Sequence, residues 1–365
     1  RLILFTRVLA LSVLACLAFS WKLWLSRSFY PFVPLFDFIP PLSAPWDSVA
    51  LGVFATSLLA VVVQPQSQRW IVITLIGFSC FFIQDQNRLW PSFYQFFFLF
   101  LVLVSFRPKH AGDANRVLSG MRFITAAVYF WGGVQKLNRD FFHEEFPWFV
   151  EPLTGLLPFE IPMLPIWGIV AALFEVLIGI GLLTNRFRNP ALYDAMLMHA
   201  VILFCIGPLR GSWNNSSWMW GQTVAVQVWI LFYRAPPFSS RVMFRSRTAA
   251  SLPAALAFVF IGILPIFNNF NLWDSALSFN VYSGNVHYAE IHLTHEGADQ
   301  LPTELAPFLK KNVEHMVLDL NEWALHEFNA NPYPELRIFK ALLKQICTFV
   351  PKESAVLVVR EKAGW

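Results

Sequence analysis

The stretch VLSGMRFITAAVYFWGGVQKLNRDFF, residues 117–142, is a long apolar run that ends in a charged turn containing Lys136. Its length and composition predict a helix that crosses a membrane and carries a lysine to the interface. Gly132 and Gly133 precede this lysine by about one turn. Glycines at these positions would let another helix or a substrate approach the backbone closely. We therefore treat the end of this helix as the first candidate for a functional site.

Two interpretations of Lys136 are open at this point. Desolvation at the rim of an apolar cavity would favour the neutral amine, and a neutral lysine is a usable base. The alternative is that the side chain extends to the level of the lipid headgroups, as lysines at the ends of membrane helices commonly do.

The overall composition is that of a membrane protein. Of the 365 residues, 56% are hydrophobic and 17% aromatic, whereas only 14% are charged. These values exclude an ordinary soluble domain and indicate a polytopic α-helical protein whose main partner is the lipid bilayer. The net charge is only +4, and no basic run is interleaved with aromatic residues, so we expect no nucleic-acid partner.

The cysteines and histidines do not form a recognisable metal or disulfide pattern. The four cysteines are scattered and make no CxxC pair. His287, His292 and His295 lie close together in the sequence, but strand alternation would separate them and no further ligand completes a set. We expect no metal.

Nine apolar runs have about the length needed to cross 30 Å of hydrocarbon. They are Leu2–Trp24, Trp46–Val63, Arg69–Ile83, Trp90–Phe106, Val117–Lys136, Pro162–Leu183, Pro190–Leu209, Ser217–Tyr233 and Ala249–Phe267. From about residue 270 the composition becomes that of a soluble domain. The predicted fold is an all-α polytopic membrane bundle of about nine transmembrane helices in residues 1–269, followed by a small C-terminal α+β extramembrane domain in residues 270–365.

Alternation and short apolar runs predict the elements of the C-terminal domain. Strands are expected at Val286–Thr294, Val313–Leu320 and Ser354–Arg360. Helices are expected at Thr303–Lys311, Glu322–Asn329 and Pro334–Thr348.

The charges of the short loops predict the orientation in the membrane. Basic residues collect on one side, at Arg1, Arg7, Arg69, Arg107, Lys109, Arg116, Arg186, Arg188, Arg234, Arg241, Arg245 and Arg247. Most loop acids fall on the other side, at Asp37, Asp47, Asp140, Glu144, Glu145, Glu151 and Glu160. The N-terminus is therefore expected in the cytoplasm, with Lys136 and the C-terminal domain outside.

Ionisable residues inside apolar runs are expensive unless they are paired or hydrated, so they point to possible sites. Glu175 and His199 are two of these, and a pair of Glu175 with either Arg122 or His199 would join neighbouring helices. Such a pair could be structural or could handle a proton. The segment FFHEEFPWFVEPLTGLLPFEIP, residues 141–162, is expected to be interfacial or re-entrant and could cover a site beside Lys136.

A polar cluster, DQNRLWPSF at residues 85–93, links the third and fourth predicted spans. Its composition is good helix-capping chemistry, which favours a structural role, but it would also face the rim at Lys136. Asp85 and Arg88 are therefore supporting site candidates, together with Gln135, which adjoins the lysine.

The motif YFWGGVQKLNRDFF, residues 129–142, resembles the vitamin K-dependent γ-glutamyl carboxylases and their bacterial relatives, the HTTM (horizontally transferred transmembrane) proteins. The similarity extends back to DQNRLWPSFYQFF and forward through FEVLIGIGLLTNRFR to MLMHAVILF, about half of the chain. The resemblance implies that Lys136 matches the base that takes a proton from vitamin K hydroquinone, and that the site faces the external side. It also implies a quinone or hydroquinone ligand and, for a bacterial member, an inner-membrane protein with a periplasmic C-terminal domain.

Two functions remain open. The carboxylases carry a histidine in the polar turn before the fourth span, where this chain has Trp90, Pro91 and Ser92, so an oxyanion has no obvious donor. The chain is therefore expected either to place a lipophilic quinone-like molecule near Lys136, with or without base chemistry, or to be a non-catalytic subunit of a larger membrane complex. In the second case the C-terminal domain would bind the other subunits.

Overall fold

The computed structural model describes residues 1–26, 29–107, 110, 112–208, 215–244 and 251–362. Outside the described residues lie Lys109, Arg245 and Arg247 of the charge pattern, the predicted span end at Leu209 and the predicted span start at Ala249.

The described part of the first 270 residues is mostly helical. The helices of this part are α1 Leu2–Phe19, α2 Trp46–Val63, α3 Gln68–Gln84, α4 Pro91–Val104, α5 Asp113–Gln135, α6 Phe146–Thr154, α7 Leu164–Leu183, α8 Arg188–Ile206, α9 Asn215–Phe232, α10 Ser240–Met243 and α11 Leu252–Ala257. Helix α11 continues as a π-helical turn, Phe258–Ile263, and a 3₁₀ segment, Leu264–Phe270.

Within the described ranges, six helical segments are long and apolar enough to cross a membrane: α1, α2, α5, α7, α8 and Leu252–Phe270. Nine spans are therefore not confirmed, although several apolar helices agree with an integral membrane protein. Helices α3 and α4 are apolar but have only 17 and 14 residues, which is short for a bilayer. Helix α9 begins with polar residues, including Ser216 and Ser217, which lower its hydropathy.

Helix α5 is the centre of the bundle. In its most apolar 18-residue stretch, 89% of the residues are buried. Its close partner is α7, and glycines allow the two backbones to meet. A Cβ atom on Gly133 would lie 2.6 Å from the backbone nitrogen of Val176, and one on Gly179 would lie 2.6 Å from that of Phe130. Because a Cβ atom has no room at either position, glycine sets the spacing of these two helices.

The C-terminal part contains a four-stranded antiparallel sheet of order β2-β3-β1-β4. Its strands are β1 Tyr288–Leu293, β2 Leu309–Lys311, β3 Met316–Asp319 and β4 Ala355–Arg360, and its helices are α12 His295–Ala298, α13 Leu320–Phe328 and α14 Leu336–Ile346. Strands β1, β3 and β4 lie in the predicted strands, and α13 and α14 overlap the predicted helices.

The helix predicted at Thr303–Lys311 is wrong. The structure has a 3₁₀ segment, Thr303–Phe308, followed directly by β2. Pro307 lies inside this segment and cannot donate the backbone hydrogen bond that a regular helix needs, so the helix does not propagate.

The C-terminal part packs on the membrane helices through polar and aromatic contacts. The side chain of Asn329 donates to the carbonyl of Phe19 at 2.7 Å, and Arg337 donates to Gln86 at 2.5 Å. The ring of Tyr30 lies 4.9 Å from that of Trp323, measured between centroids. These contacts place the sheet over the end of the bundle at which α1 and α3 end.

Candidate functional site

One face of the last two turns of α5 provides the first wall of the site. Tyr129, Gly132 and Lys136 are spaced by three and four residues, so they lie above one another on the helix. Lys136 ends the helix, with its backbone N–H donating to the carbonyl of Gly133 at 3.1 Å. Asn138 fixes the following turn, since its amide donates to the carbonyls of Gln135 at 2.8 Å and Ser283 at 2.9 Å.

An ion pair crosses from α5 to α7. The Nζ atom of Lys136 donates to Oε2 of Glu175 at 2.9 Å and to the carbonyl of Gly132 at 3.2 Å. The two charged side chains are only 17% and 16% exposed. Gly132 makes room for the carboxylate, because a Cβ atom there would lie 2.6 Å from Oε1 of Glu175.

This pairing corrects the expectation that Glu175 pairs with Arg122 or His199. Arg122 lies 14 residues before Lys136, about 21 Å along the helix axis at 1.5 Å per residue. Its Nε atom donates to the carbonyl of Leu231 at 2.9 Å instead.

His199 on α8 has a different partner from the predicted one. Its Nε2 atom lies 2.6 Å from the hydroxyl of Tyr129. Its Nδ1 atom is buried and has no hydrogen-bond partner. A Cβ atom on Gly221 would lie 3.5 Å from Nδ1, so this nitrogen faces α9 at a place where no side chain fills the space.

These two polar pairs open into a cavity of about 330 Å³. Its wall is mostly apolar and comes from α5 to α9 and from residues 279–282. The lining side chains include Val128, Phe141, Phe146, Phe149, Phe174, Leu197, Met198, Val201, Ile202, Trp220, Val224, Phe279 and Tyr282. The π-helical segment Phe141–Glu145 and α6 thus cover the cavity beside Lys136.

The remaining predicted site residues do not line this cavity. Gln135 is buried behind it, where its amide donates to the carbonyl of Pro265 at 3.1 Å. Asp85 accepts hydrogen bonds from the backbone and side chain of Asn87 at 3.1 and 2.9 Å. Arg88 donates to the carbonyl of Leu23 at 3.0 Å. Asp85 and Arg88 order the turn whose neighbouring residues, Gln86 and Asn87, contact the C-terminal part. Their place in the site stays a prediction.

Several lining residues were missed from the sequence. Tyr129 could have been found, because it lies seven residues before Lys136 and therefore on the same helix face. Trp220, whose indole N–H donates to Gln95 at 2.8 Å, carries no such signal. The segment 279–282 lies more than 140 residues after the lysine, and nothing local in the sequence joins the two.

A second cavity, of about 390 Å³, lies between the bundle and the C-terminal part and shares Ser217, Val281 and Tyr282 with the first. We call it the junction cavity. Here the hydroxyl of Tyr288 donates to Glu145 at 2.9 Å. Burial raises the pKa of Glu145 above its usual value, and the hydrogen bond from Tyr288 offsets only part of this effect.

Comparisons with protein-family models, with curated proteins and with solved structures gave no match for this chain. The resemblance to the carboxylases therefore rests on the sequence motifs alone. A function can be inferred only from these motifs and from the geometry of the cavity.

Proposed function

We propose that this membrane protein binds a lipophilic molecule with a polar aromatic head, of the quinone or hydroquinone type, in the cavity beside Lys136. One observation carries the proposal. A mostly apolar cavity of about 330 Å³ has a partly buried ion pair, Lys136 with Glu175, and a Tyr129–His199 pair on the same wall. Cavities for small molecules commonly have this volume and this combination of an apolar lining with a few convergent polar groups.

The polar wall suits both oxidation states of such a head group. A quinone oxygen can accept a hydrogen bond from the ammonium of Lys136, and a hydroquinone hydroxyl can donate to the carboxylate of Glu175. The rings of Phe146, Phe149 and Trp220 lie around the cavity and offer aromatic surface to a planar molecule.

Base chemistry at this wall belongs to the pair rather than to the lysine alone. In an ion pair the ammonium already holds its proton, and the carboxylate is the acceptor. Lys136 can take a proton from a ligand only after its own proton has gone to Glu175 or to solvent. We therefore propose that a proton removed from a bound hydroxyl is shared between the two side chains.

The proposed orientation places the N-terminus in the cytoplasm and the cavity on the external side. Acidic Asp140, Glu144 and Glu145 follow Lys136 at one end of α5, whereas Arg188 and Arg234 lie at the ends of α8 and α9 that point the other way. Positive charge collects on the cytoplasmic side of membrane proteins, which supports this orientation. A bacterial inner membrane with a periplasmic C-terminal domain follows from the resemblance and is part of the proposal.

The binding test starts with the full chain purified from its native membrane in mild detergent. Extracted small molecules are identified by mass spectrometry, and a naphthoquinone with a short isoprenoid tail is then added while the thermal midpoint is followed. We expect a retained quinone and a raised midpoint. Val201→Trp, which places a large side chain in the cavity, should abolish both, whereas the exposed Lys22→Met should change neither.

Recovery of phospholipid alone, with no response to the naphthoquinone, would refute the proposal. Stoichiometric protein partners without a quinone would instead favour the non-catalytic subunit.

Proton handling is tested separately with Lys136→Arg and Glu175→Gln. Arginine keeps the positive charge but does not deprotonate near neutral pH. Loss of deprotonation of the bound hydroquinone in both variants, followed by its absorbance, with binding of the naphthoquinone retained, would support the pair as the proton acceptor. If Lys136→Arg still deprotonated the hydroquinone, the lysine would not be the base.

A further inference from the structure

A cluster of arginines surrounds Arg122, the tenth of the 23 residues of α5, at the level where α9 ends. Arg122 is only 1% exposed, and the charges of Arg1 and Arg188 lie close enough to repel it. Arg1 and Arg122 both reach the end of α9, where they donate to the carbonyls of Tyr233 at 2.8 Å and Leu231 at 2.9 Å. Unpaired carbonyls at a helix end attract cations, so part of this cluster has a structural role.

The carbonyls at the end of α9 do not pair with all of the arginine N–H donors. The Nη2 atom of Arg122 is buried and has no hydrogen-bond partner. The Nε and Nη1 atoms of Arg188 are also buried without partners. A buried guanidinium N–H left unpaired is costly, and the cost is larger when the group is charged.

No carboxylate compensates these charges among the residues that the structure describes. Neither Arg122 nor Arg188 has an Asp or Glu within ion-pair distance there. Elsewhere on α5 such a partner is present, since Arg116 pairs with Asp113 at 2.7 Å. The arginine cluster therefore combines like charges with unpaired N–H donors. A bound anion would neutralise the charges and accept hydrogen bonds from these donors.

The start of α8 adds further donors at the same place. Arg188 is the first residue of this 19-residue helix, whose N-cap residue, Phe187, provides no side-chain cap and whose first turn has no acid. Pro190, the third residue, has no N–H, and the N–H of Ala191 donates to the carbonyl of Phe187 at 2.9 Å, so the backbone donors available here are those of Arg188 and Asn189. The helix dipole favours negative charge beside them. Gly181 of α7 holds this helix start against the bundle, because a Cβ atom there would lie 2.7 Å from that of Ala191.

We propose that Arg122, Arg188 and the N-terminus of α8 bind a phosphate group. Guanidinium groups match the oxygens of phosphate in pairs, and helix N-termini bind the same group. The site lies where α5, α8 and α9 approach one end of the bundle, the level at which lipid headgroups meet a membrane protein. A phospholipid phosphate is the source that this position favours, and free phosphate is the alternative.

The experiment uses the full chain in maltoside micelles and follows the thermal midpoint. The probes are a phosphatidylglycerol, a diacylglycerol with the same chains but no phosphate, and inorganic phosphate. We expect phosphatidylglycerol to raise the midpoint and diacylglycerol to have no effect. Arg188→Gln should raise the half-saturating concentration of phosphatidylglycerol about tenfold, the effect of losing one charge-assisted hydrogen bond.

The matched control is Arg186→Gln, which removes an exposed arginine two residues away that lies over the ring of Phe187. It should leave the response unchanged. Arg188→Gln is the main variant because Arg122 also donates to the carbonyl of Leu231, so Arg122→Gln would change a structural contact together with the proposed phosphate site.

An equal response to inorganic phosphate would support the site and assign it to free phosphate. No response to either phosphate probe would overturn the proposal, as would equal shifts in Arg188→Gln and Arg186→Gln.

Discussion

Helix α5 carries two cations with different surroundings, Lys136 at its C-terminal end and Arg122 at the level where α9 ends. Lys136 has a carboxylate partner, Glu175, and lies on a cavity. Arg122 has a carbonyl partner, Leu231, and two arginines as neighbours. A charge inside a membrane bundle is costly unless it is neutralised. Among the residues that the structure describes, Lys136 is neutralised by a carboxylate, whereas Arg122 is not.

The largest expected effect follows from breaking the balanced pair. Lys136→Met leaves the carboxylate of Glu175 alone in a mostly apolar cavity, which should lower the free energy of unfolding by about 3 kcal/mol. Arg122→Met should cost only about 1 kcal/mol, because it frees a carbonyl but also removes a repelled charge. Unfolding in mixed micelles of maltoside and dodecyl sulfate measures both values.

The double variant Lys136→Met/Glu175→Gln is the control, and it should recover most of the stability lost in Lys136→Met. Equal losses of stability in Lys136→Met and Arg122→Met would contradict the difference between the two cations. No recovery in the double variant would contradict it as well.

The two ends should also differ in how they tolerate a larger residue. Gly133→Ala places a methyl group 2.6 Å from the backbone of α7 at Val176, and a backbone cannot move without separating the helices. Gly120→Ala, near Arg122, meets only the side chain of Val102 at 2.9 Å. We expect a loss of about 2 kcal/mol for Gly133→Ala and clearly less for Gly120→Ala, measured by the same unfolding experiment. A larger loss at Gly120 would contradict this difference.

The sequence predicted a helix that ends at Lys136 and a close approach of another helix at Gly132 and Gly133. Both predictions depend on local hydropathy and spacing. The sequence did not predict which side chain Glu175 meets. That pairing depends on the rotation and height of α7 against α5, which close contacts at Gly133 and Gly179 set after folding. No periodicity within a single helix contains this information.

Other features of the fold also could not be predicted from local sequence patterns. Nine apolar runs were counted as spans, yet α3 and α4 are too short to be identified as spans by length, and of the two only α4 is mostly buried. Strand β2 has three residues, too few for an alternating pattern to be visible. Residues 279–282 reach the cavity only because the C-terminal part folds back over the bundle.

A smaller effect is expected from the neutral pair at the Lys136 end. Tyr129→Phe removes the hydroxyl that lies 2.6 Å from Nε2 of His199, so both ring nitrogens of the histidine are left unpaired. We expect a loss of about 1 kcal/mol in the free energy of unfolding. Tyr193→Phe, on an exposed stretch of the same helix as His199, is the matched control and should have no effect. If the two variants were equally stable, the pair would not contribute to the site.

The smallest effect concerns pH, to which the two ends should respond differently. Arginines stay charged across the working range, whereas burial raises the pKa of Glu145 near the Lys136 end. A raised folded-state pKa gives stability below the unfolded value, about 4.3, which is lost as pH rises through the folded value. Glu145→Gln keeps an acceptor for Tyr288 without the charge. It should raise the thermal midpoint slightly at pH 7.5 and leave it unchanged at pH 4, whereas the exposed Glu144→Gln should show no such gain. A gain that is equal at both pH values would mean that ionisation of Glu145 is not its cause.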